Sequence, residues 1–265
     1  MSGVDRPDAA FVTGAHNGAI MSSGARCLVE IDKSSALVRV RGVLDAGAAD
    51  GVRAALLARL SERPGPVVVD VTGLRVADPA ARGVFAEVRR EVTDWPAADL
   101  LLCDPSVAGP DQADAAWADV PAWPTLDGAL AAVAQTPLAA VLTAELAPTV
   151  GAAREARAMV TTGCERWGMP TLTAPACIAI TEMVNNVVAH ARTPMTVRLA
   201  PQDSTLHLAV RDHSSRRPTF ALSPPDRVGG RGLLLIDTMT RRWGSSAVPD
   251  GKVVWCVLHP DDEVD

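Results

Sequence analysis

The chain contains no tyrosine and few other aromatics: six Trp and three Phe make up 3% of it. Ala, Val and Leu must therefore build its core. It lacks a CxxC pair, and its five cysteines (Cys27, Cys103, Cys164, Cys177 and Cys256) are odd in number. This argues against a disulfide framework or a cysteine-rich zinc site and for small buried hydrophobes in a reducing compartment. It also lacks a basic excess: 25 Lys and Arg face 31 Asp and Glu, a formal net charge of -6. Direct nucleic-acid binding through a phosphate-neutralising surface is not expected. No basic segment followed by an apolar run opens the chain, and no uninterrupted apolar stretch reaches the roughly 20 residues of a membrane helix. A cytoplasmic protein without a membrane partner is expected. No repeat of fixed period is present.

What is present is globular: 48% hydrophobic and 21% charged residues over 265 positions, enough for two domains. Residues 1–25 are rich in Ala, Gly and Ser and read as a flexible tail. In residues 26–135, Leu28–Ile31 and Leu37–Val43 read as strands about a turn at Lys33–Ser35, and Val52–Leu60 has helical spacing. Val67–Val71 is a buried strand, Ala80–Val92 a helix, Leu100–Cys103 another strand and Asp127–Ala134 a helix. This alternation predicts an α/β sandwich. Residues 136–147 are sparse in charge, lie between Pro137 and Pro148 and read as a linker. A second domain follows over 148–260, with a short tail at 261–265.

In that domain Thr149–Trp167 and Pro175–Ala191 read as helices, the latter capped by Thr173 with Pro175 in its first turn. Met195–Leu199 and Leu206–Arg211 read as a hairpin about Pro201–Ser204, Gly232–Thr240 as a short helix and Val253–Leu258 as a last strand. Helices on one face of a mixed sheet are expected. Glu182, Asn186 and His190 are spaced four apart and form one row on their helix. An amide oxygen is a hard ligand suited to Mg²⁺, and a carboxylate one turn earlier can activate a nucleophile. By spacing alone the row reads first as a solvated helix face. Asp212, at a strand end, can accept from an exocyclic amine or simply start a turn. The run Gly229-Gly230-Arg231-Gly232 before Leu233 can cradle phosphate at a helix N-terminus, or serve only as a loop.

These motifs occur in one order: ITEMVNNVVAHA from Ile180, VRDHSSRRP at 210–218, GGRGLLLIDTMTRRWG at 229–244 and GKVVWCVL at 251–258. The second half resembles the GHKL (Bergerat-type) ATPase domain, and within it the anti-sigma factor serine kinases and their short actinobacterial ATP-binding relatives. The resemblance implies ATP and Mg²⁺ as cofactors. It implies Glu182 as general base, Asn186 as the Mg²⁺ ligand and Asp212 as the adenine contact. Gly230, Arg231, Gly232 and Leu233 would border the phosphates. Residues 213–228 would form a lid carrying Arg216, Arg217 and Arg227, and His190 would be structural. Relatives usually place Thr where Val253 stands, so a hydrogen bond supporting the adenine contact would be lost here and nucleotide affinity reduced.

The first half resembles a STAS domain, the fold of anti-sigma factor antagonists, through VRVRGVLD at 38–45, VVVDVTGL at 67–74 and Val76-Ala77-Asp78. Phosphorylatable STAS proteins carry Ser after that Asp. Here Pro79 follows, so no switch by phosphorylation is expected there, and Asp78 reads as a helix cap. Together the resemblances imply an ATP-binding regulator of the anti-sigma or serine-kinase type. Its expected partners are a STAS antagonist protein, a sigma factor or both, and a homodimer is consistent with that type. The fused domain would mimic the antagonist or act as a docking surface. The alternative is a non-catalytic interaction module.

Overall fold

The computed structural model describes residues 18–23, 27–32, 35–108, 117, 120–135, 140–216 and 232–261. The first domain begins with β1 (Gly18–Ser23), β2 (Cys27–Asp32) and β3 (Leu37–Leu44), paired antiparallel in that order. β1 falls inside the segment read as a tail; its backbone completes an edge that β2 would otherwise leave open. β4 (Val67–Asp70), β6 (Leu100–Cys103) and β7 (Ala122–Trp123) continue from β3 as parallel neighbours, and short β5 (Leu74–Val76) pairs with the far half of β3. Two helices, α1 (Ala46–Glu62) and α2 (Gly83–Val92), pack on one face of this sheet around Phe85, Leu56 and Leu102. The third, α3 (Leu126–Ala134), covers the other face around Val68 and Leu101.

Local chemistry sets the helix starts. Asp45 Oδ1 accepts from Ala48 N at 3.0 Å and caps α1. Asp78 Oδ1 accepts from Ala80 N at 3.0 Å and caps the 3-10 turn Pro79–Arg82 that leads into α2. Asp78 therefore has the capping role expected of it, with Pro79 in the first turn.

The second domain is a five-stranded sheet in the order β11-β12-β10-β9-β8. Its strands are β8 (Leu142–Leu146), β9 (Met195–Gln202), β10 (Thr205–Asp212), β11 (Arg242–Val248) and β12 (Gly251–Leu258). All four pairings are antiparallel, so the expected sandwich holds a purely antiparallel sheet rather than a mixed one. β8 lies in the segment read as a linker, which therefore ends before Leu142: the Glu145 carboxylate accepts from Thr196 on β9 at 2.8 Å and helps fix the register. Helices α4 (Ala152–Trp167), α5 (Thr173–Asn186) and α6 (Gly232–Met239) lie on one face of the sheet. Thr173 does not cap α5. The turn Pro170–Leu172 runs straight into the helix, and Leu172 takes the cap position without a side-chain bond. The run Pro170–Ala191 contains an 18-residue stretch of mean hydropathy 1.3, enough by composition to cross a membrane. Here its apolar side (Ile180, Met183, Val184, Val187) is the core of the sandwich, which accounts for that composition.

Side-chain alternation assigns the two faces. Leu206, Leu208 and Val210 point to the helices, while His207, Ala209 and Arg211 point the other way. An antiparallel sheet with helices on one face commonly exposes the other. On β10 both faces are buried from Leu206 to Asp212. The cover is the first domain. Ala209, Val248 and Val253 join the core of α1 and α2, and the second half of α1 (Ala55–Ser61) is buried on all sides between two sheets. Arg242 clamps the Asp94 carboxylate at 2.7–2.9 Å, Arg198 Nη1 donates to the Leu60 carbonyl at 3.1 Å, and His207 Nδ1 lies 3.1 Å from the Asp94 carbonyl.

This seam carries a pH dependence. Burial pushes the His207 imidazole below its usual value, against the pull of the Asp94 carbonyl and carboxylate and of Asp203, with Arg242 adding to the fall. The folded state thus binds fewer protons here than the unfolded chain. Stability is complete above the free imidazole value of about 6.5 and is lost as pH falls below it, at up to roughly 1.4 kcal/mol per pH unit. Urea midpoints between pH 7.5 and 5.5 should show this slope, and His207→Gln should flatten it. An equal slope in the variant would assign the effect elsewhere.

Candidate nucleotide site

α5 presents the predicted row. Glu182 and Asn186 are half-buried, and neither side chain has a hydrogen-bond or ionic partner among the described residues. Among the described residues this leaves a carboxylate and an amide uncommitted one turn apart. After Asn186 the helix widens into a π turn, Val187–Ala191, that ends at Arg192 in the left-handed region (φ 56). Such insertions swing the last turn off the helical row. His190 is consequently exposed. It lines a polar hollow of ≈ 560 Å³ with Arg192, Ser214 and Arg216 rather than supporting the core.

Asp212 ends β10 on the helix face and is 1% exposed. Its Oδ1 accepts from Ser214 N at 2.8 Å and its Oδ2 meets Lys252 Nζ at 2.6 Å. Both of its sequence readings therefore keep a basis: the residue does start a turn, and it remains a buried carboxylate with lone pairs to spare. Lys252 stands directly opposite Asp212 in the β10–β12 register and also donates to the Ser214 carbonyl at 3.3 Å. Val253 pairs with Arg211 and faces the first domain, 3% exposed. The hydroxyl expected of relatives at 253 would thus lie across the sheet from Asp212. The neighbour that matters on the Asp212 side is Lys252, which the sequence reading passed over. Its signal was the spacing: Gly251 opens β12, and the next side chain points to the helices.

Gly251 admits this arrangement. A Cβ there would sit 1.9 Å from the Asp212 carbonyl oxygen and 2.8 Å from His213 Cα. One turn further out, Arg211 holds Asp250 at 2.6 and 2.8 Å, with His213 Nδ1 at 3.3 Å. Burial works to raise the Asp250 carboxyl, but the Arg211 bond and charge and His213 together hold it below its usual value. Gly230 and Arg231 lie outside the described residues, as do Arg217 and Arg227. Gly232 and Leu233 open α6, whose backbone packs beside α5. Among the described residues no cluster of three His, Cys, Asp or Glu could hold a metal ion. The cysteines are free thiols; burial pushes Cys256 up to about 12 and raises Cys103 and Cys164.

The donor set fits a magnesium nucleotide. Mg²⁺ is commonly bound through one or two protein oxygens plus substrate phosphates and water, and the Asn186 amide can supply one such oxygen. A buried carboxylate at a strand end suits a base amine. The architecture is a sandwich of helices on one side of an antiparallel sheet, with the row on α5 and the carboxylate at the end of β10. Comparison with family models assigns the two domains. Residues 146–258 match the histidine kinase-like ATPase domain and residues 23–108 match the STAS domain. The chain thus carries a STAS domain followed by a histidine kinase-like, GHKL-type ATPase domain. The first sheet extends beyond its matched residues, since Leu102 pairs with Ala122. No curated protein matches the chain.

Proposed function

We propose that the protein is a Mg-ATP-binding regulator of the anti-sigma factor type that transfers phosphate to a serine or threonine of a separate STAS antagonist. The observation that carries this reading is the Glu182/Asn186 row, without partners among the described residues, on a helix packed over the sheet in which Asp212 is buried. In it Asn186 holds Mg²⁺ and Asp212 holds the adenine amine. Gly230, Arg231, Gly232 and Leu233 border the phosphates. Glu182 takes the proton from the attacking hydroxyl, and bound ATP would supply the γ-phosphoryl group and leave as ADP. Positioning and charge neutralisation account for most of such catalysis. The fused STAS domain is not the substrate in this arrangement. It covers the sheet face opposite the helices, and its Asp78-Pro79 turn lacks a hydroxyl. A sigma factor, bound directly, is the second expected partner, and the cytoplasm is the expected location.

One observation favours a non-catalytic reading: Asp212 is already paired with Lys252. The two readings separate on Glu182→Gln. With a serine-bearing STAS protein and labelled ATP, a kinase loses 10²-fold or more in transfer rate while its Mg-ATP affinity stays within about threefold. No transfer by the wild type, with partner binding retained whether ATP-gated or ATP-independent, would establish the interaction module instead.

A further inference from the structure

A small cavity lies between the end of α1, the segment after α2 and the outer face of the second sheet. Its polar walls are Ser61, Trp95, Thr196, Arg198 and Arg211, and its volume of ≈ 10 Å³ leaves room for one small occupant. Much of the wall is already matched. Ser61 donates to the Ala58 carbonyl, Thr196 to Glu145, Arg211 Nη2 to Asp250, and Arg198 Nη1 to the Leu60 carbonyl. What remains is one-sided. Among the described residues, Arg198 Nε and Nη2, Arg211 Nε and Trp95 Nε1 have no acceptor. All of these are donors, on side chains only 7%, 8% and 3% exposed.

Charge adds an independent observation. Arg198 makes no ion pair among the described residues, and neither does Arg59, 5% exposed, whose Nε and Nη1 also lack acceptors. Burial and the neighbouring Arg211 push the Arg198 guanidinium down to about 10, only partly opposed by Glu145. A buried cation with a single carbonyl acceptor and no ion pair is costly, and native interiors rarely leave one so.

We propose that this interdomain cavity binds a small monoatomic anion, a halide of chloride size. An anion accepts from every unmatched N–H and neutralises the guanidinium. A water molecule must also place its own two protons and leaves the charge unopposed. Sulfate and phosphate exceed the space. The anion joins the two domains, because Trp95 comes from the first and Arg198 and Arg211 from the second.

The test uses the full chain in sodium chloride, bromide and gluconate at equal ionic strength. Thermal midpoints should be roughly 3 °C higher in either halide, at about ten times its Kd, than in gluconate. Arg198→Met should remove the difference. Should that variant not fold, Trp95→Phe keeps most of the ring volume and removes one donor, and should weaken the halide response. Crystals grown in bromide should show an anomalous peak among Trp95, Arg198 and Arg211. Identical midpoints in all three salts, or a water without anomalous signal at that place, would overturn the proposal.

Discussion

Asn186→Ala is expected to weaken Mg-ATP binding about 100-fold, a change of roughly 2.7 kcal/mol, while leaving the fold intact. The loss is large because the amide is the protein's direct oxygen ligand to the ion in the proposed site, and Ala puts nothing in its place. The fold should survive because the Asn186 side chain has no partner among the described residues to lose. Ala also favours the helix interior over Asn by a few tenths of a kcal/mol. Calorimetric titration with Mg-ATP and Mg-ADP, alongside a thermal melt, reads both effects. A variant that binds within twofold of wild type would remove Asn186 from the site. No saturable binding by the wild type up to millimolar nucleotide would remove the ATP-dependent readings altogether.

The sequence made some of this legible and hid the rest for physical reasons. Glu182, Asn186 and Asp212 stood out as candidates because each depends on a local signal, a helical period or a strand end. Val67–Val71 and Leu100–Cys103 announced themselves as β-branched or apolar runs too short for helices. β11 gave no such signal. Its outward positions include Gly244 and Ser246, and Gly244 is small because the Trp255 ring lies on it; a Cβ there would come within 2.5 Å of Trp255 Cζ2. β8 looked like a linker because Pro137 and Pro148 bracket a stretch of low charge, and only pairing with β9 makes it a strand.

Domain docking is a non-local fact, yet it left a trace. The turns from Val52 to Ser61 carry apolar residues all round the helix rather than along one stripe, as two-sided burial requires. β9 and β10 likewise place Thr196, Arg198, His207 and Arg211 on a face a lone sandwich would give to water. Those polar residues concealed the interface, since they look solvated in sequence. The Arg198 and His207 side chains meet carbonyls of the first domain, Leu60 and Asp94, that only the assembled chain supplies.

Gly251→Ala should be the most damaging single-methyl change near the site. A Cβ cannot stand 1.9 Å from the Asp212 carbonyl oxygen, and the obstacle is backbone rather than a mobile side-chain end. The start of β12 must move away from the end of β10. That opens the pairing that sets Lys252 opposite Asp212 and strains the cover over Val253. A cost of about 3 kcal/mol, or a midpoint lower by roughly 6–12 °C, is expected. Mg-ATP affinity should fall with it, because the Asp212 carboxylate loses its position. Gly47→Ala is the control: its Cβ would meet only Asp45 Oδ1, at an ordinary 3.5 Å, within helix α1. It should hold or raise stability by up to about 1 kcal/mol. If Gly251→Ala melts with the wild type, the close approach of β12 to Asp212 is not a feature of the folded protein, and the placement of Lys252 against that carboxylate goes with it.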